Sequence, residues 1–278
     1  MIQRLMLLFV FFIAFGKTFA QQPNLKEEQA KQSTASNQVS TFIIEAPQLK
    51  TTKKIWIYLP KEYDSTKKKY PVIYMHDAQN IFDAKTSYVG EWNVDEKLDS
   101  INAQVIIVGI EHGNGKRIDE LTPYKNVKYG GGNADNYLRF IVETLKPEID
   151  AKYRTKTNTQ NTGIIGSSLG GLVSYYAVLK DPEIFGKAGV FSPSFWYNRK
   201  EINELTQKSP ALKAKIYFLC GDNEGDADVI PDLNTIDDLI AKKRSSNLNL
   251  TKVNIVKGGQ HNEKLWRDGF VKAYLWLL

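Results

Sequence analysis

The run Gly166-Ser167-Ser168-Leu169-Gly170, followed by Gly171, places a serine in the G-x-S-x-G spacing. A serine hydroxyl attacks a carbonyl carbon only when a neighbouring base can take its proton. The glycines address the geometry of that step. A sharp strand-to-helix turn holds the serine in a strained conformation, and residues without side chains on either side let strand and helix close together. Residues 162–165 read as a strand and residues 172–177 as a helix, so the pentapeptide stands in the context it requires. Outside that context it would be no more than a small-residue turn. The serine oxygen is expected at the helix N-terminus, where positive partial charge favours a developing oxyanion.

A base and an acid must accompany such a serine. In α/β-hydrolases they come after it along the chain in the order Asp or Glu, then His. The chain has three histidines, and of these only His261 follows Ser168. It lies in Gly258-Gly259-Gln260-His261-Asn262, a glycine-bearing loop between the last expected strand and the last expected helix. His76 and His112 stand at strand ends, in the wrong chain order for the base. They are expected to border the pocket. The acid is expected in Gly221-Asp222-Asn223-Glu224-Gly225-Asp226-Ala227-Asp228. The G-x-x-acid spacing favours Glu224, Asp226 is the rival, and Asp222 lies close to the strand end. Either carboxylate type can orient an imidazole and stabilise its charged form.

Two backbone N–H groups should face the carbonyl oxygen as it gains charge. Leu169, the residue after the serine, supplies one. Gln79, in His76-Asp77-Ala78-Gln79-Asn80 after an apolar strand, is the candidate for the other. Trp92, Trp196 and Arg117 occupy loops after strands on the same side and are expected at the pocket rim. Aromatic rings there would suit an acyl or aryl group, and Arg117 an anionic or phenolic one, although each could equally be scaffold.

Other chemistries find little support. Three scattered histidines and one cysteine do not compose a zinc site, and the acidic loop lacks EF-hand spacing. Gly113-Asn114-Gly115-Lys116 has Ile110 where a Walker loop needs its first glycine and Arg117 where it needs Ser or Thr. No metal and no cofactor is implied. Lys and Arg are spread along the chain at a net charge of +6, and the densest run, Lys67-Lys68-Lys69, reads as a solvated turn, so nucleic acid is not an expected partner. Cys220 is the single cysteine and leaves a monomer without a disulfide.

Positioning these residues requires a framework. Strands are expected over 41–45, 55–59, 72–75, 105–110, 162–165, 188–191, 216–220 and 253–256, and helices over 136–149, 172–179, 233–244 and 264–277. Their alternation predicts a mainly parallel central sheet with helices on both faces, with the chemistry gathered at the carboxyl ends of the strands. Ahead of this domain, which spans residues 39–278, residues 1–20 read as a cleaved signal peptide. They have a basic start, an apolar run too short to span a bilayer, and Thr18-Phe19-Ala20 before the cut. Residues 21–38 read as a flexible polar lead-in. These features imply a secreted or periplasmic location without a stable membrane anchor.

Taken together, Tyr74-Met75-His76-Asp77-Ala78-Gln79-Asn80, Glu91-Trp92-Asn93-Val94-Asp95-Glu96, Glu120-Leu121-Thr122-Pro123, the Ser168 motif and Phe191-Ser192-Pro193-Ser194-Phe195-Trp196 resemble the Putative esterase family over residues 42–278. That group includes enterochelin (siderophore) esterases, esterase D-like S-formylglutathione hydrolases, feruloyl and acetyl xylan esterases, and mycolyltransferases. The resemblance implies an α/β-hydrolase fold and a triad of Ser168, Glu224 and His261. It differs at Ala78, where relatives often carry Gly. The expected activity is hydrolysis of a small-molecule or glycan-linked carboxylic ester (siderophore, feruloyl, acetyl-sugar or other acyl ester) through an acyl-enzyme. An acyltransferase using the same triad and a non-catalytic binding protein on the same scaffold are the alternatives.

Overall fold

The computed structural model describes residues 32–243 and 250–278. The expected signal peptide and the first part of the lead-in lie outside them. Eight strands form one sheet in the order β1-β2-β4-β3-β5-β6-β7-β8. They are β1 Val39–Ala46, β2 Thr51–Tyr58, β3 Val72–His76, β4 Ile106–Ile110, β5 Thr162–Ser167, β6 Lys187–Phe191, β7 Lys215–Gly221 and β8 Thr251–Val256. β1, β2 and β4 pair antiparallel at one edge, and β4, β3, β5, β6, β7 and β8 run parallel. The α/β-hydrolase architecture expected from the sequence is therefore present.

Central strands are apolar on both faces because both faces are covered. Along β3, Val72 and Tyr74 join one core, while Ile73 and Met75 join the other. The helices are α1 Val94–Ser100, α2 Arg117–Leu121, α3 Ala134–Arg139, α4 Lys146–Lys152, α5 Leu169–Lys180, α6 Arg199–Lys208, α7 Val229–Ala241 and α8 Glu263–Leu277. Residues from α1 and α8 build the second core, and residues from α3, α5 and α7 the first. A π-helical stretch, Phe140–Leu145, joins α3 to α4, so the helix expected over 136–149 is longer and locally widened.

Three helices had no counterpart in the sequence pattern: α1, α2 and α6. α1 and α2 are only seven and five residues long, too short for periodicity to show. α6 is mostly polar, burying only Ile202 and Thr206. Where the lead-in is described, Ser33, Thr34 and Ser36 hydrogen-bond to Asp83, Glu91 and Asp95. Among the described residues no helix is long and apolar enough to cross a membrane.

β3 is flanked by β4 on one side and β5 on the other, so the chain leaves it in one direction and later returns on the opposite side. The crevice at its carboxyl end is the switch point at which α/β sheets bind ligands. His76, Asp77 and Ser168 all lie there.

Candidate active site

Ser168 sits between β5 and α5 with φ 58° and ψ −121°, a backbone strain expected of a residue the fold must hold in place. Two surfaces enforce it. A Cβ on Gly166 would meet the Gly170 carbonyl group and His76 Cδ2 at 2.7 Å, and one on Gly171 would meet the Phe191 carbonyl oxygen at 2.7 Å. Gly170 is less crowded, its nearest neighbour being His76 Cβ at 3.4 Å. The Ser168 N–H donates to Phe191 O at 2.9 Å and its carbonyl accepts from Ser194 N at 3.1 Å, tying the turn to the segment after β6. Its hydroxyl lies 3.2 Å from Ser194 Oγ.

The loops after β7 and β8 meet over this turn. Gly221, ending β7, approaches Gly259 so closely that a Cβ would stand 2.1 Å from the Gly259 carbonyl oxygen. Asn223 N donates to that same oxygen at 2.9 Å. This contact sets Glu224 beside His261, with Glu224 Oε2 2.9 Å from His261 Nδ1. Glu224 Oε1 accepts from Gly221 N and Ser192 Oγ, both at 2.6 Å, and Ser192 Oγ accepts in turn from Trp266 Nε1 at 2.8 Å. The Glu224 side chain is 0 % exposed and that of His261 35 %. Burial pushes the Glu224 carboxyl up, but donation from His261, Gly221 and Ser192 outweighs it and holds the group below its ordinary value. Trp266 meets the imidazole edge-to-face, with ring centroids 5.2 Å apart, and so fixes the plane of the ring.

The rival acids are engaged elsewhere. Asp222 Oδ1 accepts from Gly258 N at 2.6 Å, and Asp226 Oδ1 from Asp228 N at 2.9 Å near the start of α7. Ser192, Ser194 and Trp266 were not singled out from sequence, since a side chain that only braces another carries no motif of its own. The resemblance to Phe191-Ser192-Pro193-Ser194-Phe195-Trp196 was the one signal for the two serines.

A cavity of about 230 Å³ opens over Ser168, lined among others by His76, Trp92, His112, Arg117, His261 and Trp266. Trp92 is buried, stacked on Phe191 at 5.7 Å and close to Trp266. Arg117 forks onto Asp77, Nε to Oδ1 at 2.7 Å and Nη2 to Oδ2 at 2.9 Å, so its charge is already met by a carboxylate. The turn carrying Arg117 is held from below by Glu120, which takes Lys53 Nζ at 2.5 Å and Gly113 N at 3.2 Å. Trp196 does not line this cavity. Its neighbour Phe195 turns inward instead, leaving Trp196 42 % exposed against Tyr129 and Tyr197.

Leu169 opens α5, where a backbone N–H has no acceptor within its own helix. Gln79 lies in the single turn Ala78–Asn80, and its side-chain oxygen accepts from His112 N at 3.4 Å. His76 is buried and hydrogen-bonded through Nδ1 to Tyr137 Oη at 2.7 Å. Burial, only partly offset by Asp77, lowers its pKa to about 4, so the ring is neutral at pH 7.

A family model described as Putative esterase matches residues 46–277. The chain belongs to that family. Membership makes it a carboxylic ester hydrolase. Among curated relatives, it is 27 % identical over 238 residues to the uncharacterised protein YbbA of Bacillus subtilis, covering 81 % of this chain and 92 % of YbbA. It is 31 % identical over 161 residues to the ferri-bacillibactin esterase BesA of the same organism, covering 52 % of this chain and 55 % of BesA. Among solved structures, the BES protein from Bacillus cereus superposes with a TM-score of 0.71 at 20 % identity, over 89 % of this chain and 97 % of that one. At that identity the likeness speaks for the fold.

Proposed function

We propose that the protein is a serine esterase, secreted or periplasmic, in which Ser168 is the nucleophile, His261 the general base and Glu224 the acid that orients it. The observation that carries this reading is the fully buried Glu224 carboxylate held 2.9 Å from His261 Nδ1, with the imidazole lining the same cavity as the strained Ser168. Nδ1–H bonded to Glu224 leaves Nε2 as the lone-pair nitrogen, the tautomer a base needs.

His261 Nε2 takes the Ser168 proton as Oγ bonds to the ester carbonyl carbon, and the carbonyl π electrons move to oxygen. The N–H groups of Leu169 and Gln79 receive that oxyanion. Its collapse breaks the C–O bond to the alcohol, which leaves with the proton from His261. Water, deprotonated by His261, then attacks the acyl-enzyme and releases the acid, returning the proton to Ser168. The Trp92 and Trp266 rings, tilted against each other by 41°, offer an apolar wall to the acyl or alcohol part. Arg117, two of whose five N–H groups are taken by Asp77, supports a polar or phenolic substituent rather than a full negative charge. Siderophore and feruloyl esters carry such phenols, and the likeness to BesA favours the former.

The test is hydrolysis of para-nitrophenyl acetate, a feruloyl ester and a ferric catecholate siderophore by the wild type and Ser168→Ala. Activity lost with the fold intact, together with fluorophosphonate labelling of Ser168 in the wild type, is the expected result. Turnover retained in Ser168→Ala would remove the nucleophile from this scheme.

A further inference from the structure

A second cluster of ionisable groups lies behind Trp92, where residues 33–36 cross the segment entering α1. Thr34 Oγ1 donates to Glu91 Oε2 at 2.9 Å, and Ser36 N to Asp95 Oδ2 at 2.7 Å. Asn93 Nδ2 reaches Glu91 Oε2 at 3.2 Å and Glu96 Oε1 at 3.3 Å. Each carboxylate thus spends one oxygen on protein donors. The other oxygen of each, Glu91 Oε1, Asp95 Oδ1 and Glu96 Oε2, is buried without a hydrogen-bond partner, and so is the Ser36 hydroxyl. One carboxylate oxygen from each of Glu91, Asp95 and Glu96 lies within 4.8 Å of the others. Glu91 is 6 % exposed and Asp95 0 %.

An orphaned carboxylate oxygen in the interior is costly, and three carboxylates this close together repel each other besides. Among the described residues no Lys or Arg side chain forms an ion pair with any of the three. Arg267, the nearby cation, donates to the Glu91 backbone carbonyl at 3.1 Å rather than to its carboxylate.

We propose that Glu91, Asp95 and Glu96 form a binding site for a hard divalent cation, Ca²⁺ in preference to Mg²⁺. The ligand set is all oxygen, which suits hard cations and gives zinc or copper no soft or imidazole donor. Mg²⁺ keeps several of its waters, whereas Ca²⁺ accepts an irregular shell supplied largely by protein oxygens. Bound there, the ion holds in place the Glu91 and Asp95 carboxylates to which Thr34 Oγ1 and Ser36 N donate, and so steadies residues 33–36 against the loop that carries Trp92. That loop is itself tied to the turn after β3, Trp92 N donating to Asn80 O at 2.8 Å and Val94 N to Ile81 O at 3.0 Å. The cation would therefore brace one wall of the Ser168 cavity without touching substrate.

The competing explanation is a single proton held between the Asp95 and Glu96 carboxyls. Full-length protein stripped with a chelator separates the two. Tb³⁺ titration with tryptophan excitation should give sensitised emission from Trp92, next in sequence to Glu91, displaced by Ca²⁺ at lower concentration than by Mg²⁺. Ca²⁺ at a hundred times its Kd should raise Tm by roughly 5–10 °C. Asp95→Asn, which keeps an acceptor for Ser36 N, should weaken both responses at least tenfold. If that variant fails to fold, the wild-type titrations decide alone. Stripped wild type showing no Tb³⁺ emission and no Ca²⁺-dependent Tm shift would overturn the proposal. A stability change from pH 7 to pH 5 that is more favourable in the stripped wild type than in Asp95→Asn would, under those conditions, assign the cluster to the shared proton.

Discussion

Replacing Glu224 with Gln removes a charge while nearly preserving a shape, and the surrounding bonds dictate the outcome. The carboxylate accepts three hydrogen bonds, from His261 Nδ1, Gly221 N and Ser192 Oγ. A Gln carbonyl oxygen can still serve Gly221 and Ser192, which places its NH₂ against His261. Nδ1 must then accept instead of donate, so the proton moves to Nε2, and the nitrogen that should deprotonate Ser168 becomes a donor. In a Ser-His-Asp triad the analogous exchange lowers turnover about ten-thousandfold. The partly exposed ring here can escape by rotation more easily, so a loss of about a thousand- to ten-thousandfold is expected, or roughly 4–5.5 kcal/mol on the barrier. Losing the charge assistance should cost about 1–2 kcal/mol of stability, a fall of roughly 2–8 °C in Tm. Pre-steady-state release of para-nitrophenol, read with a melting curve, separates the two effects. Asp226→Asn, whose carboxylate only meets Asp228 N, should stay within about twofold of wild type. A Glu224→Gln enzyme keeping more than a tenth of wild-type turnover, or an Asp226→Asn enzyme losing it, would refute the assignment of the acid.

Gly221→Ala would set a methyl group 2.1 Å from the Gly259 carbonyl oxygen. The His261 loop must shift, and a shift of about 1 Å should lower kcat about a hundredfold with about 1–3 kcal/mol lost in stability. Unchanged kinetics would show that the two loops are not registered by this contact. His76 carries a pH signature. Its pKa falls from 6.5 to about 4 on folding, so the stability contributed by the neutral ring is complete above pH 6.5 and drains away as pH falls towards 4. At pH 4.5 the loss amounts to about 2.5 kcal/mol. Urea denaturation at pH 7 and pH 4.5 should show that increment in the wild type beyond what His76→Gln shows, and equal losses in both would contradict it.

The sequence disclosed what repeats or alternates. All eight strands were legible: the central parallel ones, buried on both faces, read as bounded apolar runs, as in Ile106–Ile110, and the edge strands as short β-branched stretches such as residues 41–45 and 253–256. Ser168 and His261 were nominated from a motif and from chain order, and Glu224 from a spacing that left Asp226 in contention; the fold sets Glu224 beside His261 and puts His261 and Ser168 on one cavity. What remained hidden depends on contacts between distant segments. Ser192 matters through bonds to Trp266 and Glu224, 74 and 32 residues away. Arg117 looked like a free cation until Asp77, 40 residues before it, closed on its guanidinium. Trp196 and Phe195 are neighbours of similar chemistry, and only tertiary packing decides which of them is buried. The acids of Glu91-Trp92-Asn93-Val94-Asp95-Glu96 passed as part of a motif because their convergence depends on a short helix that periodicity could not reveal.

The contact between Gly221 and Gly259 separates two kinds of change that this architecture can undergo. The loops that carry Glu224 and His261, the proposed acid and base, are registered by backbone against backbone at the ends of β7 and β8, on one half of the sheet. The walls of the cavity that face them, Trp92 and Arg117, come from the segments after β3 and β4 on the other half. A longer or differently shaped loop after β3 or β4 would remodel what the cavity accepts while leaving the proton-transfer geometry untouched. Substrate range and chemical competence are thus free to drift independently, which is the condition for one scaffold to serve many esters.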